Sequence, residues 1–321
     1  MKIGLFTALF HEKKLQELIP YIKNLGIDAI EIYAGHSDNK NHCDPDLLLS
    51  DATALKEYKK MLSDNDIMIS ALNVSGNPIH PNEEIAKKQT LSLKRGIRLA
   101  QALEVDRIIS FSGCPGGSKE DKTPNWVCCP WPDEYLAMSE YQWNDVLLPF
   151  WTEISEYASE YGINRICFEM HPGFCVYNPE TLLKCRSVVG NSIGANLDPS
   201  HLIWQGITPE SAVDTLGEAI YHVHIKDTRI NHDVVKKNGV IDTKHYSDLK
   251  NRSWVFSTVG YGVDTTAWKR FINALYRVGY DHVLSIEHED SYMSREEGLE
   301  KGVEFLKSVY VKETPGAMWW A

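Results

Sequence analysis

The stretch "KNLGIDAIEI", residues 23–32, decides the fold. It starts in a segment with helical spacing, reaches a glycine that can end the helix, and continues as an apolar run with the composition of a strand. The same succession returns in "SEYGINRICF" (159–168) and "YRVGYDHVLSI" (276–286). A helix that ends in glycine directly before a buried strand is typical of the joint between successive units of a (β/α)8 barrel.

Short runs rich in isoleucine and valine recur eight times, and segments with helical spacing separate them. The predicted strands are 2–7, 29–34, 67–74, 107–113, 165–170, 192–198, 221–227 and 282–289. Later helices are predicted at 139–161, 179–189, 209–218, 264–278 and 294–309. This alternation predicts a single-domain (β/α)8 TIM barrel. The alternative, an open doubly wound sheet, requires a glycine-rich phosphate-binding turn after the first strand, and "FTALFHEKK" (6–14) lacks one.

Composition narrows the class of protein. The 321 residues carry a net charge of −11 and are 43% hydrophobic, which suits one large core and disfavours partners such as nucleic acids and anionic membranes. Seven cysteines without a CxxC motif indicate reduced thiols and a cytoplasmic setting, and the neighbours Cys128 and Cys129 lack further ligands at metal spacing. The apolar start "MKIGLFTALF" is interpreted as the first strand, and no run reaches the ~18 apolar residues of a membrane helix.

Residues 1–312 are predicted to form the barrel, and 313–321 an apolar tail that covers a partner, a neighbouring subunit or the barrel base. Two inter-element segments, 113–134 and 228–262, are too long for plain loops and follow the fourth and seventh strands. Both are expected at the carboxyl end of the barrel, where barrel active sites lie. Their tryptophans, Trp126, Trp131 and Trp254, are candidates for stacking on a sugar.

Metal-ligand residue types end four successive strands: Glu169, Asp198, His224 and Glu287. Taken alone, Asp198 suits a helix cap and His224 a hydrogen-bonded core histidine. Together their side chains would converge on the barrel axis, where buried carboxylates repel one another unless a cation neutralises them. Three carboxylates and one imidazole predict one divalent ion, with Mn²⁺ first and Mg²⁺, Co²⁺ or Zn²⁺ as alternatives.

Further polar residues follow the strand ends and are candidates for contacts to a substrate or for catalysis: His80, His171, His201, Lys226 and Arg229. His171 lies two residues after Glu169, on the same side of an extended chain. His222 shares a strand face with His224 one layer deeper, which favours a supporting role. His288 is expected to point away from the site.

Four motifs, "FEMHPGFCVYNP" (168–179), "NLDPSHLIWQG" (196–206), "YHVHIKD" (221–227) and "LSIEHED" (284–290), resemble the xylose-isomerase-like TIM barrels. These are the sugar phosphate isomerases and epimerases, which include the ketose 3-epimerases. The resemblance spans essentially the whole chain and implies metal ligation by the four strand-end residues. It also implies substrate binding by His201 and by Arg229, although Arg229 lies one residue closer to the metal histidine than in the family.

The chain departs from the ketose epimerases at one position. A second glutamate that contacts their substrate is missing here before Glu180, and His171 stands near its place. The Glu-x-His form, with "GNPIHP" (76–81) and the tryptophan-bearing loop, resembles the subgroup that acts on oxidised (3-keto) glycosides. That subgroup includes lyases and the catalytic subunits of C-glycoside deglycosidases, which work with a small β-sandwich partner. A small β-subunit or a homo-oligomer is therefore expected.

The expected reaction begins with removal of the proton next to a sugar carbonyl, followed by elimination of the aglycone. His171 is the predicted base, and Glu169 and Glu287 are the epimerase-style candidates. Isomerisation or epimerisation of a sugar or sugar phosphate remains the alternative. The same fold also serves apurinic-site endonucleases, but these need additional histidines on the third and fourth strands, and "SFSGC" (110–114) has none.

Overall fold

The computed structural model describes residues 1–35, 39–311 and 316–320, and its centre is a closed barrel of eight parallel strands. The barrel strands are β1 (Lys2–Phe6), β2 (Ala29–Tyr33), β3 (Met68–Asn73), β4 (Arg107–Ser110), β5 (Arg165–Glu169), β6 (Ile193–Leu197), β7 (Ile220–Ile225) and β10 (Val283–Ile286). Each of these eight strands pairs with the next barrel strand along the chain, and β1 pairs with β10 to close the barrel. The predicted barrel is confirmed, and each predicted strand overlaps an observed one.

Helices surround the barrel: α1 (Leu15–Asn24), α2 (Pro45–Ser50), α3 (Ala52–Asp64), α4 (Glu83–Ala102), α5 (Glu134–Glu140), α6 (Leu148–Glu160), α7 (Pro179–Val189), α8 (Pro199–Ile203), α9 (Pro209–Leu216), α10 (His232–Asn238), α11 (Thr265–Arg277) and α12 (Arg295–Val309). A π-helical segment, Tyr141–Leu147, joins α5 to α6, and short 3₁₀ helices occupy Thr7–Phe10 and Gly217–Ala219. The predicted helix at 139–161 therefore begins earlier, at Glu134.

The glycine joints have the geometry that the sequence predicts. Gly26, Gly162 and Gly279 have φ of +78°, +74° and +77°, a conformation that other residues rarely adopt. After α1 the amide of Ile27 donates to Ile22 O at 3.1 Å and that of Gly26 to Lys23 O at 2.9 Å. This pair of hydrogen bonds defines a Schellman motif, which ends the helix and turns the chain into the next strand.

Packing on the outside of the barrel fixes which side chains face the axis. Trp151 of α6 is fully buried against Phe168 of β5, with ring centroids 4.5 Å apart, and its indole N–H donates to Ser112 O at 2.8 Å. Because side chains alternate along a strand, an outward Phe168 directs Glu169 towards the barrel interior.

The two long segments differ in structure. The chain between β4 and α5 is irregular, whereas the segment after β7 contains an antiparallel pair, β8 (Asp227–Ile230) and β9 (Trp254–Ser257), with α10 between them. The buried carboxylate of Asp227 accepts hydrogen bonds from the amides of Gly260 and Gly262 and from the indole of Trp268, each at 3.0 Å. The Asp227 carboxylate therefore connects the end of the long segment after β7 to its beginning.

The tail residues Met318, Trp319 and Trp320 are exposed. The predicted boundary between barrel and tail, at residues 312 and 313, lies outside the described residues. Among the helices that the structure describes, none combines the length and apolarity needed to cross a membrane.

Candidate metal centre

The four predicted ligands come together at the carboxyl end of the barrel. Glu169 ends β5, Asp198 follows β6, His224 lies in β7 and Glu287 follows β10. One ligand atom from each lies within 4.8 Å of the other three. Four neighbouring strands therefore direct three carboxylates and one imidazole towards one point.

Asp198 serves two purposes at once. Its Oδ1 accepts the amide of Ser200 at 2.8 Å and so caps α8, as a lone strand-end aspartate would. Its Oδ2 is buried and has no hydrogen-bond partner among the described residues. This atom lies 3.2 Å from Lys226 Nζ and 3.3 Å from His201 Nε2. The cap fixes the side chain and leaves the second oxygen directed into the cluster.

His224 lies between carboxylates on both sides of its ring. Its Nδ1 is 3.0 Å from Glu287 Oε2 and 3.5 Å from Glu169 Oε2, with no hydrogen bond to any described residue. Its Nε2 is 2.8 Å from Glu31 Oε2. Glu31 was not predicted, although a glutamate inside the apolar run "AIEIYA" is the same signal that identifies Glu169. Glu31 lies within β2 and not at its end, so the strand-end rule does not predict it.

Negative charge dominates the cluster. The Lys226 ammonium is buried, 2.9 Å from Glu287 Oε2 and 3.1 Å from Glu289 Oε2. It therefore pairs with carboxylates of the protein and is not exposed at the carboxyl end of the barrel. Burial, reinforced by the charge of Glu287, raises the pKa of Glu169 to about 7. Burial also opposes ionisation of Glu287, but Lys226 holds the pKa of that carboxyl well below its ordinary value.

The donor set fits a divalent cation on two grounds. Three carboxylates present oxygens within 4.8 Å of one another, and carboxylates this close repel one another unless cations balance their charge. Three oxygen donors and one imidazole are also suitable ligands for such an ion.

Two histidines extend the cluster towards the open side. His201 Nε2 lies 3.0 Å from Glu169 Oε1, and the His171 and His201 ring centroids are 4.1 Å apart. His171 Nδ1 lies 2.5 Å from Pro172 O. Because a carbonyl only accepts, Nδ1 carries the proton and Nε2 keeps the lone pair. Burial lowers the pKa of both histidines to about 4, so both imidazoles are neutral at pH 7.

A cavity of about 480 Å³ borders His171. The residues that line it include Leu9, His171, Tyr246, Phe256, Glu289 and Met293. Tyr246 and Phe256 come from the excursion after β7, so this segment does place aromatic side chains beside the cluster. Trp254 lies behind Phe256, stacked on Trp204 with ring centroids 4.6 Å apart.

His288 also lines the cavity, contrary to the expectation that it points away. The physical reason is that β10 ends at Ile286, so strand alternation no longer fixes the direction of residue 288. His222 has its expected place one layer deeper, where its Nδ1 and Nε2 pair with Asn196 Oδ1 at 2.9 Å and Ser70 Oγ at 3.2 Å.

Arg229 is not brought to the cluster. Its side chain is exposed, with the guanidinium 4.5 Å from the centre of the Tyr292 ring. The barrel strand β7 ends at Ile225, and Arg229 belongs to β8, outside the barrel. The number of residues between His224 and Arg229 therefore does not predict where the Arg229 side chain lies.

The other aromatic candidates and His80 also lie elsewhere. His80 Nδ1 accepts the amide of Asn82 at 2.9 Å, just before α4. Trp126 packs edge-on against Tyr177 and lines a separate pocket, and the side chain of Trp131 is 75% exposed. The first long segment thus contributes neither tryptophan to the cavity beside the cluster.

Known proteins resemble this chain in sequence or in fold. The protein YfiH of Bacillus subtilis (strain 168), itself uncharacterized, is 37% identical over 309 residues, which cover 96% of this chain and 98% of YfiH. Three solved structures share the fold at low identity. The probable 3-DHS dehydratase AsbF from Bacillus anthracis has a TM-score of 0.66 at 16% identity, over 96% of this chain and 99% of AsbF. A D-psicose 3-epimerase has a TM-score of 0.62 at 15% identity, over 96% and 99%. The IOLI protein, solved with a bound zinc atom, has a TM-score of 0.63 at 21% identity, over 96% and 98%.

The family itself is identified by a match over most of the chain. Residues 19–309 match the xylose isomerase-like TIM barrel family, in agreement with the resemblance that the strand-end motifs carry. This chain therefore belongs to the xylose isomerase-like TIM barrel family.

Proposed function

We propose that this protein is a divalent-metal-dependent enzyme that removes a proton next to the carbonyl group of a sugar-type substrate. One observation carries the proposal: three carboxylates and an imidazole from four neighbouring strands present ligand atoms within 4.8 Å of one another. The names of two structural neighbours, a D-psicose 3-epimerase and a protein with bound zinc, support a sugar substrate and a metal.

The ligands would be Glu169, Asp198, His224 and Glu287. Oxygen donors favour Mn²⁺ as the native ion, with Mg²⁺, Co²⁺ and Zn²⁺ as alternatives. When bound, a divalent ion supplies Lewis-acid stabilisation for the negative charge that develops on the substrate's carbonyl oxygen.

His171 is the proposed base. It lines the cavity, its Nδ1 is protonated towards Pro172 O, and its Nε2 therefore carries the lone pair needed to accept a proton. Glu169 and Glu287 are the alternative bases. Both are engaged elsewhere: His201 Nε2 lies 3.0 Å from Glu169, and Lys226 donates to Glu287 at 2.9 Å. A proton acceptor with a free lone pair at the cavity wall suits the role better.

The favoured reaction is elimination from an oxidised glycoside. With a ketone at C3, the base takes the proton from C2, and the C–H electron pair forms the C2–C3 enolate. As the ketone re-forms, these electrons become a C1–C2 double bond, the bond from C1 to the aglycone breaks, and the aglycone takes up a proton. The apolar part of the cavity wall, Leu9, Phe256 and Met293, supports this reading because it suits an aglycone better than a second hydroxylated group.

Isomerisation or epimerisation of a sugar or sugar phosphate is the alternative, and the D-psicose 3-epimerase named above is the neighbour that suggests it. Both reactions begin with the same proton removal, so proton exchange alone does not separate them.

A second subunit, either a small β-sandwich protein or another copy of this chain, remains part of the proposal. The exposed Met318, Trp319 and Trp320 are an apolar segment available for such a contact.

Product analysis separates the two reactions. We expect the Mn²⁺-loaded enzyme to release free aglycone from a 3-keto glucoside and not from the parent glucoside, because only the ketone acidifies the proton on C2. The assay is chromatography of the aglycone over time, with a metal-chelated sample as control. Interconversion of free ketoses without aglycone release from the keto glucoside would establish the alternative.

Removing one ligand charge should remove the metal. Asp198→Asn keeps the cap of α8, since asparagine caps helices as well as aspartate, but loses the anionic Oδ2. We expect the dissociation constant for Mn²⁺ to rise by at least ~100-fold, the upper end of what losing an outer-shell partner costs. Titration calorimetry gives the constant, and circular dichroism checks the fold.

Asp264→Asn is the matched control, because Asp264 caps α11 by accepting the amide of Ala267 at 2.8 Å and lies outside the cluster. Its Mn²⁺ affinity should equal that of the wild type. Unchanged affinity in Asp198→Asn would remove Asp198 from the ligand set.

His171→Asn tests the base. With metal content equal to that of the wild type, we expect exchange of the substrate's α-proton into deuterated water to slow by ~10² or more, the usual scale for a lost general base. NMR of the substrate reports the exchange rate. His232→Asn, an exposed histidine at the start of α10, serves as the control. Exchange at the wild-type rate in His171→Asn would transfer the role to Glu169 or Glu287.

A further inference from the structure

Glu31 is a buried carboxylate in β2 that the proposed chemistry does not use. It is fully enclosed in the barrel. Its Oε1 accepts Asn73 Nδ2 at 2.8 Å, and its Oε2 accepts Ser285 Oγ at 2.9 Å. A buried carboxylate is costly unless such partners satisfy it, so its presence on an otherwise apolar strand requires a reason.

The third partner supplies that reason. Glu31 Oε2 lies 2.8 Å from Nε2 of His224, one of the four proposed metal ligands. An ionised carboxylate only accepts hydrogen bonds, so Nε2 must be the nitrogen that carries the proton. Nδ1 faces Glu287 at 3.0 Å and Glu169 at 3.5 Å, so a cation that replaces the proton on this side would bind Nδ1 while Nε2 keeps its proton towards Glu31.

Glu31 is held in place by hydrogen-bond donors from several strands. Its three donors come from three strands: Asn73 in β3, His224 in β7 and Ser285 in β10. The backbone contributes as well. Ile30 pairs with Ile69 while Glu31 pairs with Ala71, so β3 has an extra residue, Ser70, at this level. Such a bulge redirects neighbouring side chains, and here it lies beside Glu31.

We infer that Glu31 is a positioning residue for the metal centre: it fixes the tautomer and the ring orientation of His224 so that Nδ1, and not Nε2, binds the divalent ion. The inference rests on the proposed metal centre. Carboxylates that accept the second N–H of a ligating histidine raise its basicity and hold its ring. A purely structural Glu31 would instead stabilise the barrel without affecting metal binding.

The test measures Mn²⁺ binding to the full-length protein, by titration calorimetry, in Glu31→Gln and Glu31→Leu. Glu31→Gln keeps the shape and loses the charge, and Glu31→Leu also loses the acceptor. We expect the dissociation constant to rise ~10–100-fold in Glu31→Gln, the usual cost of losing such a partner, and at least as much in Glu31→Leu.

Ser70→Ala is the control. The Ser70 hydroxyl is buried at the same level and hydrogen-bonds Ile30 O and His222 Nε2, both at 3.2 Å. We expect its Mn²⁺ affinity to stay within twofold of that of the wild type.

A second measurement does not depend on whether a variant folds. Nitrogen NMR of the Zn²⁺-loaded wild type, with ¹⁵N-labelled histidine, identifies which nitrogen of His224 carries the proton. We expect a protonated Nε2 and a metal-bound Nδ1. A protonated Nδ1, or Glu31→Gln with wild-type affinity, would overturn the inference and leave the metal centre standing. A wild type that binds neither ion would overturn both.

Discussion

Mutual repulsion of buried carboxylates is the constraint on which this site depends. Glu169, Asp198 and Glu287 present oxygens within 4.8 Å of one another at the end of the barrel. At an effective dielectric constant of about 20, each pair of unit charges at this distance repels by about 3 kcal/mol. Lys226 offsets part of this repulsion, and a divalent ion among the same oxygens would offset the rest.

The site is built in two layers that the barrel geometry keeps apart. The upper layer holds the proposed ligands, with His201 beside Glu169 and His171 at the cavity wall. The lower layer is a hydrogen-bonded network. Its first part is Glu31, which accepts from Asn73, Ser285 and His224. Its second part is His222, which pairs with Asn196 and Ser70. Strand bulges at Ser70 and Tyr221 lie at the lower layer, where the register of β3 and β7 shifts against their neighbours. His224 belongs to both layers, and Glu31 is the lower-layer residue proposed to act on the upper layer through it.

Much of this could be predicted from the sequence because it depends on local rules. The glycine joints at Gly26, Gly162 and Gly279 depend on backbone conformation, and the four strand-end ligands depend on the convergence of parallel strands. The remainder depends on where the chain goes after a strand ends. The positions of the Arg229 and Trp126 side chains could not be predicted, because both residues lie in long segments outside the barrel strands. In such segments the number of residues from a strand end does not determine where a side chain lies. The direction of His288 is not predictable because strand alternation stops at Ile286, and Glu31 lies inside β2, where the strand-end rule does not apply.

Anomalous diffraction from crystals soaked in Mn²⁺ tests the central claim most directly, because it locates the ion without reference to activity. We expect one strong peak at the carboxyl end of the barrel, with bonds of about 2.0–2.3 Å to a carboxylate oxygen of Glu169, Asp198 and Glu287 and to Nδ1 of His224. Mn²⁺ absent from this cluster, or bound through Glu31 and Nε2 of His224, would contradict the account.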